Sequence, residues 1–211
     1  MGSIRVIRLA VVLLVAGISW TVPDLADAST APPPIKARTF HGEGDDVVRV
    51  PSTKLRGIAV IRHSGESNFA VWSIQPSGKD NDLLVNRIGD YSGTVVVNTY
   101  TDLKTAGFTI EADGAWSLRF APISYAPLWK HLTEKGLGDA VLKLAAPTKG
   151  LHTLRYAHGG TSTFVVYALP PSGAPGLLVN KIGHVSGKVV VPAGTRYVSV
   201  LADGKWTLTR K

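Results

Sequence analysis

Ser67 to Gly93 reads SNFAVWSIQPSGKDNDLLVNRIGDYSG, and Ser162 to Gly187 reads STFVVYALPPSGAPGLLVNKIGHVSG. With one gap opposite Asp82, 14 of 26 aligned pairs are identical, where residue frequencies alone give roughly one or two. The segment is a duplication, and self-similarity at this spacing governs every later reading of the chain. Inside each copy, short alternating or β-branched runs stand between clusters of Gly, Pro, Asn, Asp and Ser, which is the pattern of strands and tight turns.

The match extends in both directions. Gly42-Glu43-Gly44-Asp45 answers Gly136-Leu137-Gly138-Asp139, and the His63 to Phe69 run answers His158 to Phe164. Thr94 to Val97 answers Lys188 to Val191, and Ala112-Asp113-Gly114-Ala115-Trp116 answers Ala202-Asp203-Gly204-Lys205-Trp206. The units therefore run from 42 to 120 and from 136 to 211. Strands are expected in the first at Val47–Val50, Leu55–Arg62, Phe69–Gln75, Leu83–Arg87, Thr94–Asn98, Phe108–Glu111 and Trp116–Phe120. Asp-Gly between two β-prone runs is a hairpin signal, because the tight turn there needs positive φ. Seven short strands in so few residues imply an all-β fold of two tandem small sandwich or jelly-roll units.

Outside the units, Arg5 and Arg8 precede an uncharged, mostly apolar run from Leu9 to Ile18, the chain staying uncharged as far as Val22, and Ala26-Asp27-Ala28 offers small residues for cleavage before Ser29. This pattern marks residues 1–28 as a secretion signal. The run is shorter than the ~20 residues of a membrane span, so the uncleaved, membrane-anchored form is the alternative. Residues 29–41, with STAPPP, read as a proline-rich tether. Residues 121–135 join the copies, with room for a short helix from Pro127 to Lys135.

The 211 residues contain no cysteine and carry a formal charge of +8. Disulfides, thiolate metal sites and cysteine nucleophiles are thereby excluded. The charge is uneven: residues 40–120 hold 8 basic and 10 acidic residues, and residues 121–211 hold 11 and 3. The second half suits an anionic cell-envelope polymer or membrane surface, or a secreted protein partner. Scattered Lys and Arg, with no groove-reading helix, do not suit nucleic acid. Domains this small are marginal without disulfides, so the two units are expected to pack on each other.

The stretch FAVWSIQPSGKDNDLLVNRIGDYSGTVVV followed by ADGAWSL resembles a repeated unit of poorly characterised secreted bacterial proteins. In strand order and size it is distantly similar to the pre-peptidase C-terminal type of jelly-roll domain. The resemblance implies an extracellular β fold and no activity of its own.

Candidate chemistry is thin. His63 and His158 each lie four residues before a serine, Ser67 and Ser162, but no nucleophile elbow surrounds either, and a turn explains them. Asp45-Asp46 and Asp80-Asn81-Asp82 are compatible with oxygen ligands for calcium, although the second copy replaces the latter with Ala174-Pro175-Gly176. Neither metal nor cofactor is assigned. Trp72 and Tyr167 are equivalent, on strands apolar on both faces, and are candidates for a ligand or interface contact. Trp116 and Trp206 read as core anchors. The function these features suggest is a non-catalytic extracellular or cell-envelope binding or adhesion module. The alternatives are a structural surface protein without a ligand and, last, a hydrolase with an unrecognised site.

Overall fold

The computed structural model describes residues 34–100 and 104–211, and the expected signal segment 1–28 lies outside them. Among these residues sixteen strands follow one another with hardly any helix. In the first copy they are β1 (Arg38–Glu43), β2 (Asp46–Thr53), β3 (Gly57–Ser64), β4 (Asn68–Ile74), β5 (Asp80–Ile88), β6 (Tyr91–Val97), β7 (Thr105–Glu111) and β8 (Ala115–Pro122). The second copy repeats them as β9 (Thr133–Leu137), β10 (Ala140–Lys143), β11 (His152–His158), β12 (Thr163–Leu169), β13 (Gly176–Ile182), β14 (Val185–Val191), β15 (Tyr197–Ala202) and β16 (Lys205–Arg210).

The strands form four antiparallel sheets. Sheet I has the order β2-β7-β4-β5 and sheet II the order β1-β8-β3-β6; sheet III is β10-β15-β12-β13 and sheet IV is β14-β11-β16-β9. Subtracting eight from each label of the second copy reproduces the order of the first. Each copy is thus an eight-stranded, two-sheet sandwich with jelly-roll strand order. The alternation that decides the inner faces is plain in β3, where Ala59 and Ile61 enter the first core while Ile58 and Val60 point the other way. The two cores are separate clusters, one around Phe69, Phe108, Phe120 and Trp116, the other around Phe164, Leu154, Val200 and Trp206.

A third apolar cluster joins the copies. Ile58, Val96 and Ala121 on the outer face of sheet II meet Val141, Leu169 and Tyr197 on the outer face of sheet III, with Ile123 and Ala126 of the connecting segment. The result is a stack of four sheets, I to IV. Polar contacts rim this cluster. Arg56 donates to the carbonyls of Pro170 (2.9 Å) and Gly173 (2.7 Å) in the second copy, and to that of Thr99 in the first. Burial lowers the Arg56 pKa from its ordinary value. Asp139 accepts from the Tyr91 hydroxyl (2.9 Å) and from the Ala202 amide (2.8 Å), with Arg87 at 3.6 Å.

Two local differences from the sequence reading have physical causes. An eighth strand, β1, precedes the seven expected; it is an edge strand whose residues are exposed or half-buried, so it shows little apolar pattern. No helix runs from Pro127 to Lys135. A 3-10 turn covers Ile123–Tyr125, Trp129 donates to the Lys143 carbonyl, and Thr133 onward becomes β9 beside β16. Edge pairing with a ready partner outweighs a weak local helical preference. Trp116 and Trp206 are buried, and each indole N–H donates to a glycine carbonyl, of Gly44 and Gly138 respectively, at 2.8 Å. Gly42 and Gly136 make room for these rings: a Cβ there would sit 2.3 and 2.1 Å from the indole.

Candidate functional site

The two histidines occupy equivalent, fully buried places. Nδ1 of His63 faces the Gly89 carbonyl at 3.0 Å, and Nδ1 of His158 faces that of Gly183 at 2.9 Å. A carbonyl only accepts, so both Nδ1 atoms carry a proton and donate. Each Nε2 lies 3.2 Å from a carboxylate oxygen, Asp113 Oδ1 or Asp203 Oδ1, a contact close in distance but without good hydrogen-bond alignment. The rings stack on Phe69 and Phe164 with centroids 4.2 and 4.6 Å apart.

The far carboxylate oxygen of each Asp caps a turn. Asp113 Oδ2 accepts from Glu66 N and Ser67 N at 2.8 Å each, and Asp203 Oδ2 from Thr161 N and Ser162 N at 2.9 and 2.8 Å. The amides of Glu66 and Ser67, helped by His63, hold Asp113 below the usual carboxylate range against some desolvation. For Asp203, burial pushes upward but the amides of Ser162 and Thr161 and the nearby His158 outweigh it, so its pKa is also lowered. The serines meet the aspartates through backbone N–H groups. With both ring nitrogens of each histidine turned to a carbonyl and a carboxylate, this arrangement braces a turn and is not a nucleophile–base pair. Gly65 and Gly160 are part of the brace, since a Cβ at either would meet the Asp carboxylate within 2.4 Å.

Trp72 and Tyr167 are both half-buried, on strand faces turned away from their own cores. Tyr167 borders a 170 Å³ hollow between the copies, together with Leu83, Tyr100 and Leu201. The structure does not bring Trp72, Tyr167 and the histidines into one site. Asp45 caps the Ala112 amide and Asp46 its own neighbour's, and Asn81 donates to the Lys104 carbonyl. Among the described residues no cluster of three or more His, Asp or Glu is placed to hold a metal.

A broad cleft of 970 Å³ runs along the junction of the copies, past Arg62, Arg87, Asp90, Trp116, Leu137 and Asp203. It is wide open, and its charges are of both signs. A different hollow, of 470 Å³, enters the end of the second sandwich where β14 and β16 finish and β11 and β15 begin. Leu144, Leu154, Val191 and Val198 form its apolar wall, Trp129 one side, and Lys149, His152, Arg210 and Lys211 its rim.

The first copy shows what normally fills this space. Strand pairing makes Phe120 the counterpart of Arg210, because they face Ala59 and Leu154 at the same register; Phe108 likewise corresponds to Val198, facing Ser73 and Ala168. Phe108 and Phe120 pack edge to face, centroids 5.4 Å apart, and are fully buried. Asn98 then ties the end shut, donating to the carbonyls of Thr53 and Leu55 at 3.0 Å and accepting from Thr105 at 2.7 Å. In the second copy Pro192 stands for Asn98 and has no side-chain donor. The hollow that remains beside Phe120 measures 240 Å³, about half the size.

Arg210 is held in place without an acid. Its Nη2 donates to the carbonyls of His131 (3.0 Å) and Trp129 (3.4 Å), and its guanidinium lies 4.9 Å from the Trp129 ring centre. Among the described residues no carboxylate pairs with it. Among those residues Trp129 Nε1 and Arg210 Nε are buried without an acceptor.

No family model matches the chain. No curated protein matches it either. Among solved structures it is similar to the regulatory domain of Toxoplasma gondii PKA with cAMP, at 10% identity over 82% of this chain and 77% of that one, with a TM-score of 0.24. A regulatory subunit of a cAMP-independent protein kinase A from Trypanosoma cruzi, bound to guanosine, gives 10% identity, 82% and 71% coverage, and a TM-score of 0.23. At those scores the likeness carries nothing about a ligand.

The residues that distinguish the second sandwich's end escaped the sequence reading. Their signal was present as unlike pairs in the duplication, among them Phe108 against Val198 and Phe120 against Arg210. Asp113 and Asp203 were visible only as hairpin residues, since their bond to distant amides is a product of the fold.

Proposed function

We propose that this chain is a non-catalytic binding protein of the cell exterior, with its ligand site in the open end of the second sandwich. The observation that carries the reading is the 470 Å³ hollow where the first copy holds two phenylalanines. Leu154 in place of Ala59 and the buried Trp129 in place of Ile35 refill part of the space that Phe108 and Phe120 occupy in the first copy, and what stays empty forfeits packing energy, of order 24 cal/mol per Å³ of cavity. Such a loss is retained where the space has a use. Volumes of this size suit small ligands. The exterior address rests on the N-terminal basic and apolar run, and the brace geometry of His63 and His158 favours binding over hydrolysis.

The test is titration with the neutral fluorescent probe N-phenyl-1-naphthylamine. Saturable one-site binding, lost in Val198→Phe, supports the reading. Absence of saturation, or binding unchanged in that variant, removes it.

A second reading, attachment to an anionic polymer, is favoured by the 11 basic against 3 acidic residues of 121–211. It is separated by co-sedimentation with anionic liposomes and peptidoglycan at low and high salt, since only charge-driven attachment is lost on screening.

A further inference from the structure

We infer that the ligand of this hollow is a long-chain carboxylate, its acyl chain between sheets III and IV and its head group at Arg210. The inference rests on the binding reading above and adds the chemistry of the ligand. Three observations converge. The wall is aliphatic, formed by Leu144, Leu154, Val191 and Val198, and the space lies between two sheets whose usual separation is about 10 Å. That geometry admits a flexible chain more readily than a fused ring system.

The second observation is charge. Arg210, half-buried at the rim, has no carboxylate partner among the described residues, and Lys149 and Lys211 stand beside it. Among the described residues no Asp or Glu side chain lines the hollow. A half-buried cation without a counter-ion is unfavourable unless an anion completes it. The two backbone carbonyls and the indole face fix the guanidinium plane, with Nη2 the donor in both bonds.

The third is the comparison between copies. The cation and the hollow fall at the same place, because the residue that stands where the first copy has Phe120 is Arg210 itself. Trp129, which lines the hollow, adds a buried indole N–H without an acceptor among the described residues. A carboxylate brings acceptor capacity and no donor, which suits a rim carrying Lys149, Arg210 and Lys211.

The experiment is calorimetric titration of the purified protein with decanoate, dodecanoate and tetradecanoate below their micelle concentrations, with 1-dodecanol as the uncharged control. Each added pair of methylenes is expected to tighten binding about tenfold until the hollow is full. Dodecanol is expected to bind at least about tenfold more weakly than dodecanoate. Arg210→Gln should bring acid and alcohol to within about twofold of each other while leaving the alcohol's affinity in place. The double change Val198→Phe/Arg210→Phe, which puts the first sandwich's two phenylalanines into the hollow, should abolish binding of both.

Equal affinity for acid and alcohol in the unaltered protein overturns the head-group assignment and leaves the binding reading standing. No binding of either compound, or binding unchanged in the double variant, overturns both. Should that variant fail to fold, quenching by a terminally brominated dodecanoate decides. Tryptophan emission should fall in the unaltered protein, and most of that fall should vanish in Trp129→Phe; equal quenching in both places the ligand elsewhere.

Discussion

Removing the Asp139 carboxylate should loosen the junction of the two copies, and the duplication provides its own control. Asp139 and Asp45 are equivalent; each Oδ1 accepts from the amide of an equivalent alanine, Ala202 or Ala112. Asp45 is exposed, whereas Asp139 is 6% exposed and also accepts from Tyr91. Asp139→Ala leaves the Tyr91 hydroxyl and the Ala202 N–H buried without partners, a loss of about 2–5 kcal/mol. For a chain of this size that corresponds to a fall of about 5–15 °C in Tm. Asp45→Ala loses one exposed bond, about 0.5–1 kcal/mol. Asp139→Asn should fall between, because its amide oxygen still serves Ala202 while its N–H₂ donates to the Tyr91 oxygen. The pH dependence separates charge from hydrogen bonding. Burial raises the Asp139 pKa, although Ala202, Tyr91 and Arg87 pull it down. A raised carboxylate binds its proton more tightly in the folded state. Its ionisation therefore costs stability above the folded pKa, and this cost disappears as pH falls toward the unfolded value of about 3.9. The unaltered protein should accordingly gain on Asp139→Asn as pH is lowered from 7 toward 4. Thermal melts by circular dichroism across that range read all three variants. A Tm for Asp139→Ala within 2 °C of that for Asp45→Ala would refute the reasoning, as would a gap between protein and Asn variant that widens upward with pH.

The remaining expectations concern the brace, the indole seats and the coupling of the copies. Asp113→Asn and Asp203→Asn should weaken the protein at neutral pH and flatten its acid limb. Both carboxylates have lowered pKa values, so their stabilising effect is present above about pH 3.9 and is lost as pH falls through the folded values; an acid titration followed by tryptophan fluorescence checks this, and an unchanged acid limb would count against it. Gly42→Ala and Gly136→Ala should each cost about 1–3 kcal/mol by driving a Cβ into the indole, measured by urea unfolding; a loss under 0.5 kcal/mol in both would show that the rings move aside freely. Calorimetry of the unaltered protein should give one cooperative transition, and Arg56→Ala, which removes two hydrogen bonds from a charged group to the second copy, should lower it by about 2–4 kcal/mol. Two resolved transitions in the unaltered protein would contradict coupling through the Ile58–Leu169 cluster.

How much of this could be read beforehand depended on which residues carry a pattern. Strands β3, β4 and β8 alternate apolar and polar residues or bury both faces, and their turns are marked by Gly, Asp and Asn; duplication doubled the same signal, so the paired all-β sandwiches were legible. Strand β1 was not, because an edge strand pairing on one side, with Gly42 hollowed out for Trp116, has no apolar face to display. The stretch from Pro127 to Lys135 misled because local propensity there is weak, and its fate is set by the distant edge of β16. For the candidate site, Trp72, Tyr167, His63 and His158 drew notice as repeated aromatic or titratable residues. The hollow is defined by missing atoms, and only placing Phe108 and Phe120 in one end of one core shows that Val198 and Arg210 leave the other end unfilled.

The stack of sheets has a direction. Sheet II of one copy rests on sheet III, the counterpart of sheet I, so the copies are related by an advance along an axis rather than by a half-turn. Contacts of that kind can be continued by any further unit offering the same surface, which makes them a route to fibres. Sheet IV presents the surface that would accept such an addition, and there Thr153, Arg155, Lys188 and Lys211 occupy the positions of Ile58, Val60, Thr94 and Ala121. Part of the positive charge of the second copy thus sits where growth would otherwise proceed, and burying those cations beneath another sheet would be prohibitively unfavourable.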